Sequence, residues 1–543
     1  MKKTIIRLLI ITPFAIVIGY IVGTGGTTIL KQNVPSLFEQ YPAAMEWEAE
    51  GVPQTVESIF LSLDVDPVVE PIPKGRPGSG GALTSVDKTL LLMTHEGQFF
   101  DVTGRSAIEL DIAPPPNGWD AMLAFEAANP DYTWGHFFFR YNDVDYSDGR
   151  LFVSYAEWVE GEDCYRTSLA SVPLEDTAGG KVTAGEWTRF FSTVPCLAPK
   201  TSGRAIDGHM SGGRFRLGPD GTVYLASGDY AVDGTYAPIA ISQDPDQQYG
   251  KVLAIDPDTG ASRTVSQGHS NMQGISFDQD GRLWTVEHGR RGGDELNLIH
   301  EGLDYGWPQV ALGTRYNRLP LPDTLDYGRH PVFEPPVFAW LPSVATSALT
   351  RINGFHPAWD GDLLAGTLAG QMLIRLRIRE ERVVFAERID LGLRVRYVHQ
   401  HGDEIAVWTD QRYVLRLKVG AFDASQQFAE ARIAQLELSD KQKTAARLVL
   451  GQCAECHSFG VVGTDAAPAL GEVYEGRVAA GAFEYSNALR QAGGQWSRDR
   501  LLAYLTDPEA VAVGTYMPNP EIEDPAVREA IVDVLQALKE EPE

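Results

Sequence analysis

Cys453, Ala454, Glu455, Cys456 and His457 form a C-x-x-C-H segment. At that spacing two thiols can join the two vinyl groups of one haem while the adjacent imidazole ligates its iron. A structural zinc site would want a second ligand pair, and the only other cysteines, Cys164 and Cys196, lie far upstream. A low-spin electron carrier also needs a sixth ligand. Met517, in GTYMPNP, stands on a proline-bracketed loop that suits a thioether held against iron. Electron transfer is the first chemistry these residues point to.

The surrounding segment, residues 444–543, resembles a class I cytochrome c. The resemblance runs through APALGEVYEGRVAA, with Pro468 where the family supports the proximal histidine. It continues in FEYSNALRQAGGQWSRDRLLAYLTDP, where Tyr485 and Trp496 match positions that bond a haem propionate and a helix containing Tyr504 begins. A closing helix from about Pro525 to Lys539 repeats Ala526, Ile531, Val534, Leu535 and Leu538 at helical spacing. The resemblance implies a covalent haem c ligated by His457 and Met517, with a relatively high potential.

The cytochrome-like part leaves most of the 543 residues for a large N-terminal unit. A formal net charge of -27, with no compensating basic stripe, excludes a nucleic-acid partner and suits docking to a basic redox partner, a downstream redox protein or terminal oxidase. Lys2, Lys3 and Arg7 precede an apolar run from Leu8 to Val22, so residues 1–25 read as a signal peptide or an uncleaved inner-membrane anchor. Haem attachment requires the same exported compartment, and both features place the chain in the periplasm. There Cys164 and Cys196 either form a disulfide or stand as two unpaired thiols.

An N-terminal extension, residues 26–69, is followed by a Pro- and Gly-rich approach, EPIPKGRPGSGG, at residues 70–81. Over residues 70–420, strand-like runs recur behind an acidic turn: DKTLLLMT from Asp87, DGRLFVSY from Asp148, DGTVYLAS from Asp220, DGRLWTVE from Asp280, DGDLLAGT from Asp360 and GDEIAVWT from Gly402. Each is a turn followed by alternating apolar positions, as where a hairpin enters a half-buried strand. Their number and spacing predict an all-β propeller of six blades, with a sandwich or barrel as the alternative. Residues 421–443 read as a polar linker with helical spacing, ahead of the small all-α domain.

The segments KVLAIDPDTG and GHSNMQGISFDQDGRLWTVEHGRRGGDELNLIHEGLDYGWP resemble the glucose/sorbosone dehydrogenase family of pyrroloquinoline quinone (PQQ) enzymes. The resemblance covers roughly residues 70–420 and implies a six-bladed propeller holding quinone and calcium at one end. By matched motif, Asn271 and Gln273 would hydrogen-bond the quinone's oxygens, and their amides offer donors without charge. The backbone carbonyls of Gly289 and Arg290 would bind the cofactor's calcium, and Asp294, Glu295 and the backbone of Tyr305 resemble a second calcium site. Arg394 and Arg396 place two guanidinium forks on one face of a strand, suited to a planar polycarboxylate, and Ser343 matches a hydroxyl contact.

His209, in DGHMSGGRFRLGPDG, is the candidate base, because abstracting a hydroxyl proton while hydride leaves the same carbon calls for a group titrating near neutrality. Asp229 would orient or charge-stabilise that imidazole. The chain departs from the family in three places. Ser270 and Ala369 stand where basic residues are usual, and the step from His209 to Arg214 is one residue longer than H-x-G-G-R, so either the loop bulges or the base is displaced. The two halves together imply a dehydrogenase acting on a sugar or alcohol hydroxyl and passing electrons to its own haem. The alternative is a non-catalytic propeller carrying an electron-relay cytochrome.

Overall fold

The computed structural model describes residues 55–540 apart from 60, 69–71, 73–77, 131–138, 178–180, 200–208, 235–236, 238, 317, 319, 322–327, 421–423, 455, 461–466 and 482. The expected signal or anchor over residues 1–25 lies outside the described residues, and among those described no helix is long and apolar enough to cross a membrane.

Six antiparallel sheets follow one another along the chain. Their innermost strands are Ala82–Val86, Tyr141–Ser147, Gly212–Leu217, Asn271–Phe277, Thr346–Arg351 and Val395–His401, and each lies against the next around a closed ring. Every acidic turn read from the sequence connects an innermost strand to the second strand of its blade, from Thr89–Met93 in the first blade to Glu404–Thr409 in the last. The turn residues Asp87, Asp148, Gly221, Gly281, Gly361 and Gly402 all have positive φ, the conformation in which a short hairpin connection favours Gly or Asp. The chain is thus a six-bladed propeller.

The ring closes where Ser62–Pro67 pairs with Val414–Val419, and Thr55–Glu57 pairs outside it. The sheet therefore reaches upstream of the boundary expected at residue 70, and an N-terminal strand completes the C-terminal blade. That pairing occupies a sheet edge that would otherwise expose unpaired backbone groups. In the second blade, Cys164 and Cys196 are joined in a disulfide.

The innermost strands share an irregularity that decides what lies on the ring axis. Five of them carry a one-residue bulge at the same level, at Asn142, Gly213, Gln273, Ser347 and Arg396. The carbonyls of Asn142, Gln273, Ser347 and Arg396, with that of Gly81 in the first blade, accept hydrogen bonds from the Arg214 guanidinium at 2.6, 3.2, 3.4, 3.3 and 3.2 Å. One side chain from the third blade thereby joins the other five.

Directly beneath, Arg214 lies 4.6 Å over the Tyr397 ring and 3.7 Å from Asp143. The Asp143 carboxylate accepts from Tyr397 Oη at 2.7 Å, Phe215 N at 3.0 Å and Arg216 at 3.3 Å. The axis is filled by a hydrogen-bonded polar column, which a buried charge requires.

The C-terminal helices are Ala424–Gln435, Asp440–Ala454, Asn487–Ala492, Arg498–Thr506, Pro508–Val511 and Pro525–Glu540. They bury a core of their own, including Ile433, Val449, Leu450, Phe459, Trp496, Tyr504, Ile531, Val534, Leu535 and Leu538. In the last helix Val527, rather than Ala526, takes the first buried position. Ala429 and Ile433, expected in the linker, are fully buried in this core, so the linker's helix is part of the domain it leads into.

Arg214→Met removes the donors shared by five carbonyls and leaves Asp143 without one of its cations. It is expected to cost about 3–5 kcal/mol of stability, read from denaturant midpoints at unchanged slope, with Arg214→Lys intermediate. Unchanged midpoints in both variants would show that the axial arginine does not hold the blades.

Candidate active site

The bulges, the starts of the innermost strands and the ends of the second strands lie at one end of the ring. Asn271 and Gln273 lie there on one strand, where Gln273 Nε2 donates to Asn271 Oδ1 at 2.8 Å. Asn271 Nδ2 lies 3.3 Å from His288 Nδ1, and His288 Nε2 lies 2.6 Å from the Thr346 carbonyl. A carbonyl can only accept, so Nε2 carries the proton and Nδ1 accepts from Asn271. His288 was not singled out in the sequence, although it directly precedes Gly289 in the same motif. Burial depresses its pKa, which keeps the ring neutral.

Arg394 and Arg396 both close on Asp410, through Nε at 3.0 and 2.8 Å, and Arg396 Nη2 adds a second bond at 3.0 Å. Burial alone would raise the Asp410 carboxyl, but the two guanidiniums outweigh it and hold the group below the usual carboxylate range. Asp410 therefore fixes the two forks before any ligand arrives. Sequence reasoning missed it.

Asp229 is fully buried, accepting from Trp307 Nε1 at 2.7 Å, Ala231 N at 2.9 Å and Ser270 Oγ at 3.3 Å. Burial, with Asp233 adding and Arg290 opposing, pushes its carboxyl up to about 7. His209 is half-buried and precedes Met210, whose carbonyl accepts from Tyr230 N at 3.1 Å, so base candidate and acid belong to adjoining backbone. The Arg290 guanidinium meets Asp233 at 2.6 Å and Met210 Sδ at 2.7 Å and lies 4.9 Å over the Trp307 ring. It thereby braces the loop that carries His209.

Gly289, Arg290, Glu295 and Tyr305 line one small cavity together with Ser270 and Glu287. Glu287 and Glu295 are cross-strand neighbours, and Asn297 Nδ2 lies 3.5 and 3.4 Å from them. Burial raises both carboxyls, Glu287 to about 7 and Glu295 well above its usual value, and their mutual repulsion adds to the latter. Two such oxygens beside backbone carbonyls suit a hard cation.

One expected contact is corrected. Asp294 does not join Glu295, because consecutive strand residues point to opposite faces. Its carboxylate is taken instead by Gly289 N at 2.9 Å, Val344 N at 2.8 Å, Ala345 N at 2.6 Å and Ser343 Oγ at 2.5 Å. Ser343 accordingly spends its hydroxyl proton on Asp294, and the pair fastens the 343–345 loop to the turn at Gly289.

In the C-terminal domain the chain turns sharply after Asp440–Ala454, with His457 N donating to Cys453 O at 2.9 Å. The Pro468 carbonyl lies 2.6 Å from His457 Nδ1, which turns Nε2 outward as an iron ligand needs. Cys453 is half-buried and Cys456 exposed. Thr515, which sequence reasoning missed, hydrogen-bonds Tyr504 Oη at 2.6 Å and accepts from Met517 N at 3.4 Å, anchoring the methionine loop. These residues fit a haem c.

The raised Asp229 pKa fixes the sign of a stability effect. The folded state holds this proton more tightly than the unfolded chain, so its stabilisation is complete below the ordinary value of 3.8 and is lost as pH rises through about 7. Asp229→Asn should therefore gain stability relative to the parent protein on going from pH 4 to pH 8, by on the order of a few kcal/mol. Parallel stability–pH curves for the two proteins would show that the carboxyl is not perturbed.

The glucose/sorbosone dehydrogenase family model matches residues 142–415. The Escherichia coli aldose sugar dehydrogenase YliI is 32% identical over 291 residues, 50% of this chain and 72% of that protein. An uncharacterized Synechocystis protein, slr1608, is 34% identical over 245 residues, and the chain spans only 56% of its length. A solved glucose dehydrogenase structure superposes with a TM-score of 0.53 at 25% identity, covering 66% of this chain and 99% of that one. A separate, C-terminal part is 27% identical to Arabidopsis thaliana cytochrome c over 107 residues, 96% of that protein. With its six blades closed around the Arg214 axis, the chain belongs to the glucose/sorbosone dehydrogenase family and carries a cytochrome c domain at its C-terminus.

Proposed function

We propose that this protein is a periplasmic, PQQ-dependent dehydrogenase that oxidises a sugar or alcohol hydroxyl and passes the electrons to its own haem c, and from there to a respiratory acceptor. The observation that carries this reading is the gathering, at one end of the ring, of the Asn271–Gln273 amides, the Asp410-fixed Arg394 and Arg396 forks and the buried Asp229 beside the His209 loop. The donor set fits a planar quinone with several carboxylates.

When bound, the quinone supplies a two-electron acceptor. The protein's own part is to hold it and to manage the proton. Asn271 and Gln273 would donate to the quinone's carbonyl and carboxylate oxygens, and Arg394 and Arg396 would take its acid groups. His209 takes the substrate's hydroxyl proton, and Asp229 supports the imidazole while its neighbours Trp307 and Ser270 hold it in place. Gly289, Arg290, Glu287 and Glu295 would hold calcium in their cavity, where it would supply a counter-charge. His457 and Met517 would hold a haem iron, which would supply a one-electron acceptor, and the covalent link between the two domains would replace a bimolecular encounter. The Cys164–Cys196 disulfide and the haem-attachment spacing at Cys453, Cys456 and His457 support an exported, oxidising compartment.

Full-length protein matured with haem and given PQQ and calcium is expected to reduce its own haem when a suitable aldose is added, seen as growth of the reduced α-band. His209→Ala should slow that reduction by roughly 10²–10⁴-fold without altering the haem spectrum. If no sugar or alcohol in a broad panel reduces the haem, the protein is a relay and not a dehydrogenase. Met517→Ala should lower the haem midpoint potential by on the order of 0.1 V, and an unchanged potential would assign the sixth ligand elsewhere.

A further inference from the structure

We infer that Arg140, on the second blade, is a third guanidinium of the cofactor site and clamps a carboxylate of the quinone; this rests on the reading just given. Arg140 stands immediately before the innermost strand Tyr141–Ser147, at the end of the ring that holds Arg396. Ser79 joins the two: its carbonyl accepts from Arg140 Nη1 at 2.8 Å and its hydroxyl from Arg396 Nη2 at 3.1 Å. The Arg140 stem passes over Gly80, where a Cβ would come within 3.0 Å of Arg140 Cδ.

Charge makes this arrangement unfinished without a ligand. Arg140, Arg394 and Arg396 come together near Asp410, the carboxylate that Arg394 and Arg396 already share. Burial, then the charges of Arg396 and Arg214, pull Arg140 down to about 9, with Asp410 opposing. Arg140 Nε donates to Asn142 Oδ1 at 3.2 Å, while Asn142 Nδ2 is buried without an acceptor among the described residues. An excess of positive charge beside an unused amide donor is what an incoming carboxylate would satisfy. It also accounts for the neutral residues Ser270 and Ala369: the charge they lack is supplied from the second blade instead.

The test is a titration of the full-length, haem-loaded protein with PQQ in the presence of calcium, followed by calorimetry and by quenching of tryptophan fluorescence. Arg140→Gln should weaken binding by roughly 10–100-fold and Arg140→Lys, which keeps charge but loses the fork, by several-fold. The trimethyl ester of the quinone separates a clamp from a structural prop. A clamp loses its advantage, so parent and Arg140→Gln should bind the ester alike, whereas a prop would weaken acid and ester equally.

If Arg140→Gln fails to fold, Arg140→Lys carries the comparison in the same assay. Binding of the triacid within about twofold of the parent in the folded variants, or an equal loss for acid and ester, overturns the role of Arg140 while leaving the dehydrogenase reading intact. Absence of quinone binding to the parent protein overturns both.

Discussion

The guanidinium of Arg214 is the constraint on which the rest of the propeller depends. A ring of six sheets leaves an axis that must be filled, and at the level of the bulges it is filled by a cation whose donors are spent on carbonyls of the other five blades. No apolar side chain could satisfy those carbonyls, and lysine has too few donors. Asp143 and Tyr397 complete the column below and balance its charge.

The bulges that feed this column also shape the site. A bulge leaves one extra residue unpaired and re-aims its neighbourhood, so it can present a carbonyl to the axis and a side chain to the ring's end. Gln273 and Arg396 are both bulge residues, and Asn142 is the corresponding residue of the second blade. Structural carbonyl and candidate cofactor-binding side chain therefore belong to the same positions. Asp410 extends the principle, since the carboxylate that fixes Arg394 and Arg396 directly follows the second strand of their own blade, Glu404–Thr409.

Much of this was legible in the sequence because it is local. The acidic turns mark one hairpin per blade, and the C-x-x-C-H segment and the closing helix from Pro525 read directly as chemistry and helical period. What was not legible depends on distant pairing. The strand Ser62–Pro67 closes the ring with residues more than three hundred positions away, and nothing in its composition names that partner. Glu287 and Glu295 meet because their strands pair, Asp410 matters through what it holds, and Asp294 differs from Glu295 only by strand parity.

The central claim is that oxidation on the propeller discharges into the haem of the same molecule. The direct measurement is the rate of haem reduction in stopped flow after sugar is mixed with PQQ- and calcium-loaded protein, repeated across a wide range of protein concentration. The account predicts a first-order rate constant independent of protein concentration, as a tethered donor and acceptor require. A rate constant that rises in proportion to protein concentration would mean that electrons pass between molecules, and it would contradict the account.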